Sequence, residues 1–215
     1  KGIAVHVRTE IVRTWSYIKI AAIRIGEDIL EVKGGADENH YWFNKVYQGE
    51  LTTLGGFLVT YKKANSKQRV FTIDLGNGVK IEIKTYKQFV RVDFKEPKKA
   101  LYGNTVGLLG DFNSGKKLAR NGINVIEDYN DFGQEWQVLF DGPKLFHKVA
   151  APQLPYQGCI LPSQLLQRQK RRRLGEATVT ETEAKLACAK VPVDERDACV
   201  FDVMATDDLD MVGAY

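Results

Sequence analysis

The chain has 215 residues, and its 44% of hydrophobic side chains is enough to bury a folded core. No run of about 20 apolar residues, the length of a membrane-spanning helix, occurs, because the longest runs, such as residues 20–23, are interrupted by Lys19 and Arg24. The formal net charge of +4 arises from a basic stretch at residues 168–173, and this confinement argues against nucleic-acid binding, which would spread basic residues over folded elements.

The amino-terminal end begins inside an alternating pattern, KGIAVHVRT, without an initiator methionine or the apolar core of a signal peptide. We therefore expect the chain to be a fragment of a longer secreted precursor. Any targeting segment would then lie upstream of Lys1.

Residues 3–92 carry apolar side chains with a period near two, as in YIKIAAIRIG, RVFTIDL and VKIEIKT. This alternation is typical of half-buried antiparallel strands, with one face on the core and the other in water. Glycine pairs separate the runs, and Gly76-Asn77-Gly78 predicts a tight hairpin because Asn and Gly tolerate positive φ. We predict a mainly β fold, an antiparallel β-sandwich or curved meander.

The rest of the chain contains further segments that differ in composition. Residues 107–122 form a glycine-rich loop, and in residues 131–138, DFGQEWQV, we expect Phe132 and Trp136 to cover one edge of the sheet. Residues 141–162 carry most of the prolines, which indicates an extended wrap. Residues 181–215 predict short helices, with Thr180 as a cap and Glu183 three positions later. We divide the chain into a β-domain at 1–140, a wrap and linker at 141–180, and a helical segment at 181–215.

Two motifs in this order resemble the von Willebrand factor type D domain family. They are GLLGDFN at 107–113 and DFGQEWQV at 131–138, which are similar to the glycine-rich turn and closing strand of that family, and the resemblance covers roughly residues 3–140. The tail, with Cys188 and Cys199, is similar to the end of the cysteine-rich helical module that commonly follows such domains. Val106 and Leu109 stand where animal members usually have cysteines, so the core must hold by packing alone.

The resemblance implies a calcium site in the 107–122 loop. Asp111, Asn113 and a main-chain oxygen near Gly115 carry over by position, and Asn121 is a further oxygen donor. Calcium takes about six to eight oxygen ligands, but Lys116 and Lys117 add positive charge, and the later acidic ligands are missing. The alternative is a turn in which Asp111 and Asn113 bond only to nearby amides.

The basic stretch predicts proteolytic processing. Arg168, Lys170 and Arg171 fit the Arg-x-Lys-Arg pattern that furin-like convertases read, and the basic run continues to Arg173. The alternative is a solvated basic linker or a patch that touches anionic polysaccharide or lipid headgroups.

The three cysteines lie in the last third of the chain and lack metal-binding spacing. Cys188 and Cys199 could form a bridge between two short helices, with Cys159 left over. Cys159 could instead bridge to Cys199, because connectivity cannot be deduced from sequence.

Catalytic motifs are missing from the sequence, and His6, His40 and His147 lie in unrelated contexts. We therefore expect a non-enzymatic, extracellular structural or adhesive module that associates with other protein domains, with copies of itself or with matrix polysaccharide. The alternative is a carbohydrate-binding or hydrolytic domain, in which aromatic residues would form a stacking platform. Those residues are Trp15, Tyr41, Trp42 and Tyr47.

Overall fold

The computed structural model describes residues 2–12, 15–35, 40–139, 141–148 and 179–215. It confirms the predicted mainly β fold, because the described residues form two antiparallel five-stranded sheets with a few short helices. We call them sheet A, with strand order β1-β2-β3-β4-β5, and sheet B, with order β10-β9-β8-β7-β6. Neighbours along the chain are neighbours in each sheet, so both sheets are meanders.

The strand bounds follow the alternating runs of the sequence. The strands of sheet A are β1 Ile3–Val12, β2 Trp15–Ile25, β3 Asp28–Lys33, β4 Tyr41–Phe43 and β5 Val46–Tyr47. Those of sheet B are β6 Thr53–Leu54, β7 Phe57–Lys63, β8 Gln68–Gly76, β9 Val79–Tyr86 and β10 Phe89–Lys95.

The main core lies between the two sheets. Along β8 and β9 buried and half-buried residues alternate, as the period-two pattern predicts. Strands of both sheets contribute side chains to one buried cluster, which includes Ile23, Leu30, Phe71, Ile73 and Ile81. The sandwich is therefore closed by packing of alternate side chains.

The predicted hairpin forms between β8 and β9. Gly76 pairs with Val79, so Asn77 and Gly78 make the two-residue connection. Both have positive φ, 54° for Asn77 and 81° for Gly78, which explains why these residue types stand there.

Residues 96–148 follow the last strand of sheet B. After β10, helix α1 Lys99–Tyr102 and helix α2 Tyr129–Glu135 lie in a loop region at 96–139. Residues 141–148 then cross the outer face of sheet A, where His147 contacts Glu31. Most of the predicted wrap and linker, at residues 149–178, lies outside the described residues.

The carboxy-terminal segment packs on the outer face of sheet B. It contains α3 Glu181–Ala187 and α4 Arg196–Thr206, with 3-10 turns at Cys188–Lys190, Val193–Glu195 and Leu209–Ala214. The predicted cap of α3 is confirmed, since Thr180 and Glu183 form a reciprocal capping box. Tyr86 of β9 donates a hydrogen bond of 2.5 Å to the main-chain oxygen of Asp210 and joins the segment's own buried cluster.

The expected closing strand at 131–138 is wrong, because residues 129–135 form α2. Asp128 caps this helix by accepting hydrogen bonds from the amides of Asn130 and Asp131. An N-cap of this kind satisfies amides that would otherwise lack a partner, and it directs the chain into a helix despite the aromatic content of the segment. Phe132 is buried, and the indole of Trp136 donates to the Leu118 carbonyl at 2.9 Å, so neither residue pairs as a sheet edge.

Among the described residues, the helices are all too short or too polar to cross a lipid bilayer.

Candidate functional site

Exposed apolar side chains are concentrated in the loop region. Eight of the fifteen large hydrophobic residues that are exposed in the described part of the chain lie between residues 106 and 139. Leu109 is 86% exposed and Tyr129 is 80% exposed. Isolated exposed apolar residues are ordinary, whereas contiguous apolar patches larger than a few hundred Å² mark interaction surfaces.

Part of this group forms a groove of about 550 Å³, which we call the loop groove. The residues that line it include Phe132, which is only 5% exposed, and four more exposed apolar residues, Leu108, Leu109, Val125 and Tyr129. The groove therefore combines aliphatic side chains with tyrosine, and aromatic residues are enriched at protein-protein contacts.

Local hydrogen bonds hold the groove in shape. Leu118 and Val125 form an isolated antiparallel bridge, which makes a small hairpin. Within this hairpin the amide of Arg120 donates a hydrogen bond of 2.8 Å to the Glu135 carboxylate, and its guanidinium donates to the main-chain oxygens of Glu135 and Gln137 at 2.6 and 2.8 Å. These bonds fix the hairpin to α2, so the groove does not depend on a hydrophobic core of its own.

Three charged side chains line the loop groove. The Lys117 ammonium lies 3.8 Å from the centre of the Tyr129 ring and donates to the Glu127 carbonyl. Lys116 and Glu127 also line the groove, and within the described ranges neither side chain forms an ion pair. The groove therefore offers one free cation and one free anion beside its apolar surface in the part of the chain that the structure describes.

The predicted calcium residues belong to two turns of this region. The Asp111 carboxylate accepts hydrogen bonds from the Ser114 amide at 2.8 Å and the Ser114 hydroxyl at 2.6 Å, and these bonds lower the pKa of Asp111. The Asn113 side chain donates to the Gly103 carbonyl, and Gly115 adopts a φ of 67°. Asp111, Asn113 and Gly115 thus form one turn.

Asn121 forms the second turn, in the hairpin that ends at Val125. Its side-chain oxygen accepts from the amides of Ile123 at 2.9 Å and Asn124 at 3.1 Å. The side-chain oxygens of Asp111 and Asn121 therefore accept hydrogen bonds from nearby groups of the same loop. This is the arrangement expected if the loop is a turn without a metal ion. Calcium binding would require these hydrogen bonds to be exchanged for coordination to the ion.

Cys188 and Cys199 are bonded, with an S–S distance of 2.01 Å. The bridge joins the end of α3 to α4, and both cysteines are buried in the cluster of the carboxy-terminal segment. Cys159 and the processing residues Arg168, Lys170, Arg171 and Arg173 lie outside the described residues.

A second groove, of about 480 Å³, lies between β10 and the carboxy-terminal segment. Arg91 of β10 donates two hydrogen bonds to Glu195, of 2.7 and 3.0 Å, and one of 2.7 Å to Asp93. The bond from Arg91 lowers the pKa of Glu195. Burial raises the pKa of Asp202, although Tyr215 donates a hydrogen bond of 2.6 Å to this carboxyl group.

The outer face of sheet A carries a polar contact that positions residues 141–148. Glu31, 2% exposed, accepts a hydrogen bond of 2.7 Å from the amide of His147, and Nδ1 of His147 lies 2.9 Å from its other oxygen. The ring of Trp42 stacks on the His147 ring with centroids 4.1 Å apart. We call Glu31, Trp42 and His147 the clasp, because they hold a segment that follows Glu31 by more than a hundred residues.

The other histidines and the proposed aromatic platform are dispersed. His6 contacts Phe146 on the outer face of sheet A, and His40 packs against Gly35. Tyr41 faces the core against Phe71, whereas Trp42 and Tyr47 lie on the opposite side of sheet A. Tyr41 therefore does not share a face with Trp42 and Tyr47, as the alternative of a stacking platform would require, and the Trp15 side chain lies outside the described residues.

Lys116 and Glu127 were not recognisable from the sequence as a charged pair of one groove. The sequence feature that could have indicated the groove is the presence of Leu108, Leu109 and Val125 within glycine-rich and polar segments. A turn alone would not need apolar side chains there. No family model matches the chain, and no curated protein matches it, so the likeness to von Willebrand factor type D domains rests on the two sequence motifs.

Proposed function

We propose that this chain is a non-catalytic, extracellular association module and that the loop groove is its contact surface. The observation that carries the proposal is the exposure of Leu108, Leu109, Val125 and Tyr129 around the buried Phe132. Burying such surface on a partner is favourable by roughly 25 cal/mol per Å² of apolar area. Tyrosine in particular combines a large apolar face with a polar end, which suits it to contacts between proteins.

The extracellular location is supported by the bridge between Cys188 and Cys199, since disulfides persist in oxidising compartments. Processing at Arg168, Lys170, Arg171 and Arg173 belongs to the same proposal and is supported by the sequence pattern. Calcium in the 107–122 loop is supported by the family resemblance and would stabilise the turns that border the groove.

The proposal is tested by immobilising the chain and exposing it to the secreted proteins of the cells that produce it. Leu109→Asp places a charge on the groove, and Leu186→Asp is the matched control, because Leu186 is 77% exposed on α3. We expect the Leu109 variant alone to lose the bound protein that wild type retains, as quantified by mass spectrometry. Equal retention by wild type and both variants would refute the loop groove as the contact surface.

Carbohydrate binding is the second candidate, and the second groove favours it. The aromatic rings of Tyr17, Phe89 and Tyr215 line this groove beside Arg91 and the carboxyl groups of Asp93, Glu195 and Asp202. Aromatic faces and charged hydrogen-bonding groups are what a sugar contacts. Its test is calorimetric titration with neutral and anionic oligosaccharides, comparing wild type with Glu195→Gln. Absence of heat with every oligosaccharide would dismiss this candidate, and heat that the variant leaves unchanged would move the sugar to another surface.

A further inference from the structure

The loop groove presents charges of both signs on one apolar surface. Lys116 and Glu127 both line the groove, and neither side chain has an ion-pair partner within the described residues. Lys117, by contrast, is engaged with the Tyr129 ring and the Glu127 carbonyl. A partner that covers the groove must therefore supply an anion for Lys116 and a cation for Glu127, or leave both charges desolvated at a cost.

We propose that the occupant of the loop groove is a second copy of this chain, related to the first by a two-fold axis. This inference rests on the proposed function, because it assumes that the groove is a contact surface. In a two-fold interface the same patch faces itself, so if Lys116 of one copy meets Glu127 of the other, the reverse pair forms as well. Both free charges are then neutralised twice without any further residue.

The apolar residues of the groove can likewise be covered by the same residues of a second copy. Leu109, Val125 and Tyr129 are accessible apolar side chains of this groove, and in a two-fold interface those of one copy would be covered by those of the other. The apolar contact, like the charged one, then requires only residues of this groove.

The charge pair allows a test with reciprocal substitutions at two positions of the groove. Lys116→Glu and Glu127→Lys are prepared separately, and each is examined alone and in an equimolar mixture by sedimentation equilibrium and native mass spectrometry of the full chain. Alone, each variant brings like charges together at both pairs. In a heterodimer of the two variants, one pair joins the two introduced side chains, which carry opposite charges, and the other pair joins the two native ones, Lys116 and Glu127. Both pairs are then attractive.

We expect the dimer Kd of each single variant to rise by about tenfold or more over wild type, and the mixture to form heterodimers with a Kd within about threefold of wild type. Circular dichroism spectra of the variants identical to wild type provide the folding control. Wild type that stays monomeric at all concentrations overturns the inference, and so does a dimer that the single variants leave unchanged. If the chain stays monomeric but still captures another protein in a Leu109-dependent manner, the inference fails while the proposed function stands.

Discussion

The sandwich and the loop region differ in the solvent exposure of their apolar residues. In the sandwich, side chains such as Ile23, Ile73 and Ile81 are inaccessible to solvent, and the two sheets cover each other. In the loop region, Leu109 and Tyr129 are the two most exposed of the large hydrophobic residues described. The loop region is held instead by hydrogen bonds from caps and turns, such as those of Asp128 and Arg120.

This difference separates what folds the chain from what is free to contact a partner. Replacing a buried residue of the sandwich by a smaller one removes packing contacts that no other residue makes, so it lowers the free energy of unfolding. A substitution at the exposed apolar residues of the loop region changes little within the monomer. Stability and association should therefore respond to different residues.

The largest effect is expected in the core. Phe71→Ala removes a ring that packs against Tyr41 and Tyr61, with centroids 5.5 and 4.8 Å apart. We expect a loss of about 3 to 5 kcal/mol in the free energy of unfolding, since transfer and cavity costs add. Chemical denaturation measures it, with Leu109→Ala as the exposed control, for which we expect a change below about 0.5 kcal/mol. A comparable loss for both would erase the contrast between the two regions.

The next effect concerns the carboxy-terminal segment. Replacing Cys188 and Cys199 together by alanine removes the bridge that closes a short loop between α3 and α4. We expect a loss of about 2 to 3 kcal/mol for this segment. Hydrogen exchange should accelerate in residues 181–206 while β8 and β9 keep their protection. Unchanged exchange in that segment would mean that its packing on sheet B suffices.

The clasp gives a smaller effect. Glu31→Gln keeps the shape of the side chain but leaves it with one carbonyl acceptor for the two groups of His147. We expect a loss of about 1 to 3 kcal/mol, because a buried polar group is left without a suitable partner. Thermal unfolding checks this, and Glu27→Gln, at an exposed turn, is the control. If Glu31→Gln unfolds like wild type, the clasp does not stabilise the sandwich.

Acidification should act on the second groove through two carboxyl groups whose effects on stability oppose each other. Because Arg91 lowers the pKa of Glu195 in the folded chain, the pair contributes stability above the ordinary glutamate value of 4.5, and this contribution is lost as the pH falls through the lowered pKa. Asp202 has the opposite effect on stability. Its pKa is raised in the folded chain, so its protonation on acidification favours the folded state. We expect less than about 1 kcal/mol from the Arg91–Glu195 pair, which is partly exposed.

The two residues can be separated by pH-dependent denaturation. Glu195→Gln should flatten the decline in stability below pH 4.5, whereas Asp202→Asn should remove the opposing gain and make the decline steeper. A pH profile that is identical in wild type and both variants would contradict these assignments.

Calcium should give the smallest effect. At a calcium concentration equal to the Kd, binding stabilises the folded chain by about 0.4 kcal/mol, and Asp111→Ala should abolish this shift. The melting temperature with calcium and with a chelator is the measurement, and magnesium is the control ion. Identical melting curves under all three conditions would leave the loop as a hydrogen-bonded turn alone.

The sandwich could be predicted from the sequence because the information for it is local. Alternation in RVFTIDL and VKIEIKT determines which faces are buried, Asn77-Gly78 determines a hairpin, and Thr180 with Glu183 determines a cap. Each of these signals lies within a few residues of the structure that it specifies.

The remaining features depend on distant residues or on competing local signals. Glu31 meets His147 across 116 positions, and nothing near Glu31 in sequence indicates a buried carboxylate with a partner. At residues 131–138 the likeness to the closing strand of type D domains led us to expect a strand, whereas the cap at Asp128 directs residues 129–135 into a helix. The loop groove forms because that helix and the hairpin at 118–125 come together, which a strand at the same place would not allow.

The most direct test of the central claim is hydrogen exchange of the wild-type chain at low and high protein concentration. If two copies of the chain contact each other through the loop groove, amides between residues 107 and 129 should gain protection as the protein concentration rises. The protection of amides in β2, β8 and β9 should stay unchanged. Exchange that is independent of concentration in the loop region, or protection that appears on the sheets instead, would contradict the claim.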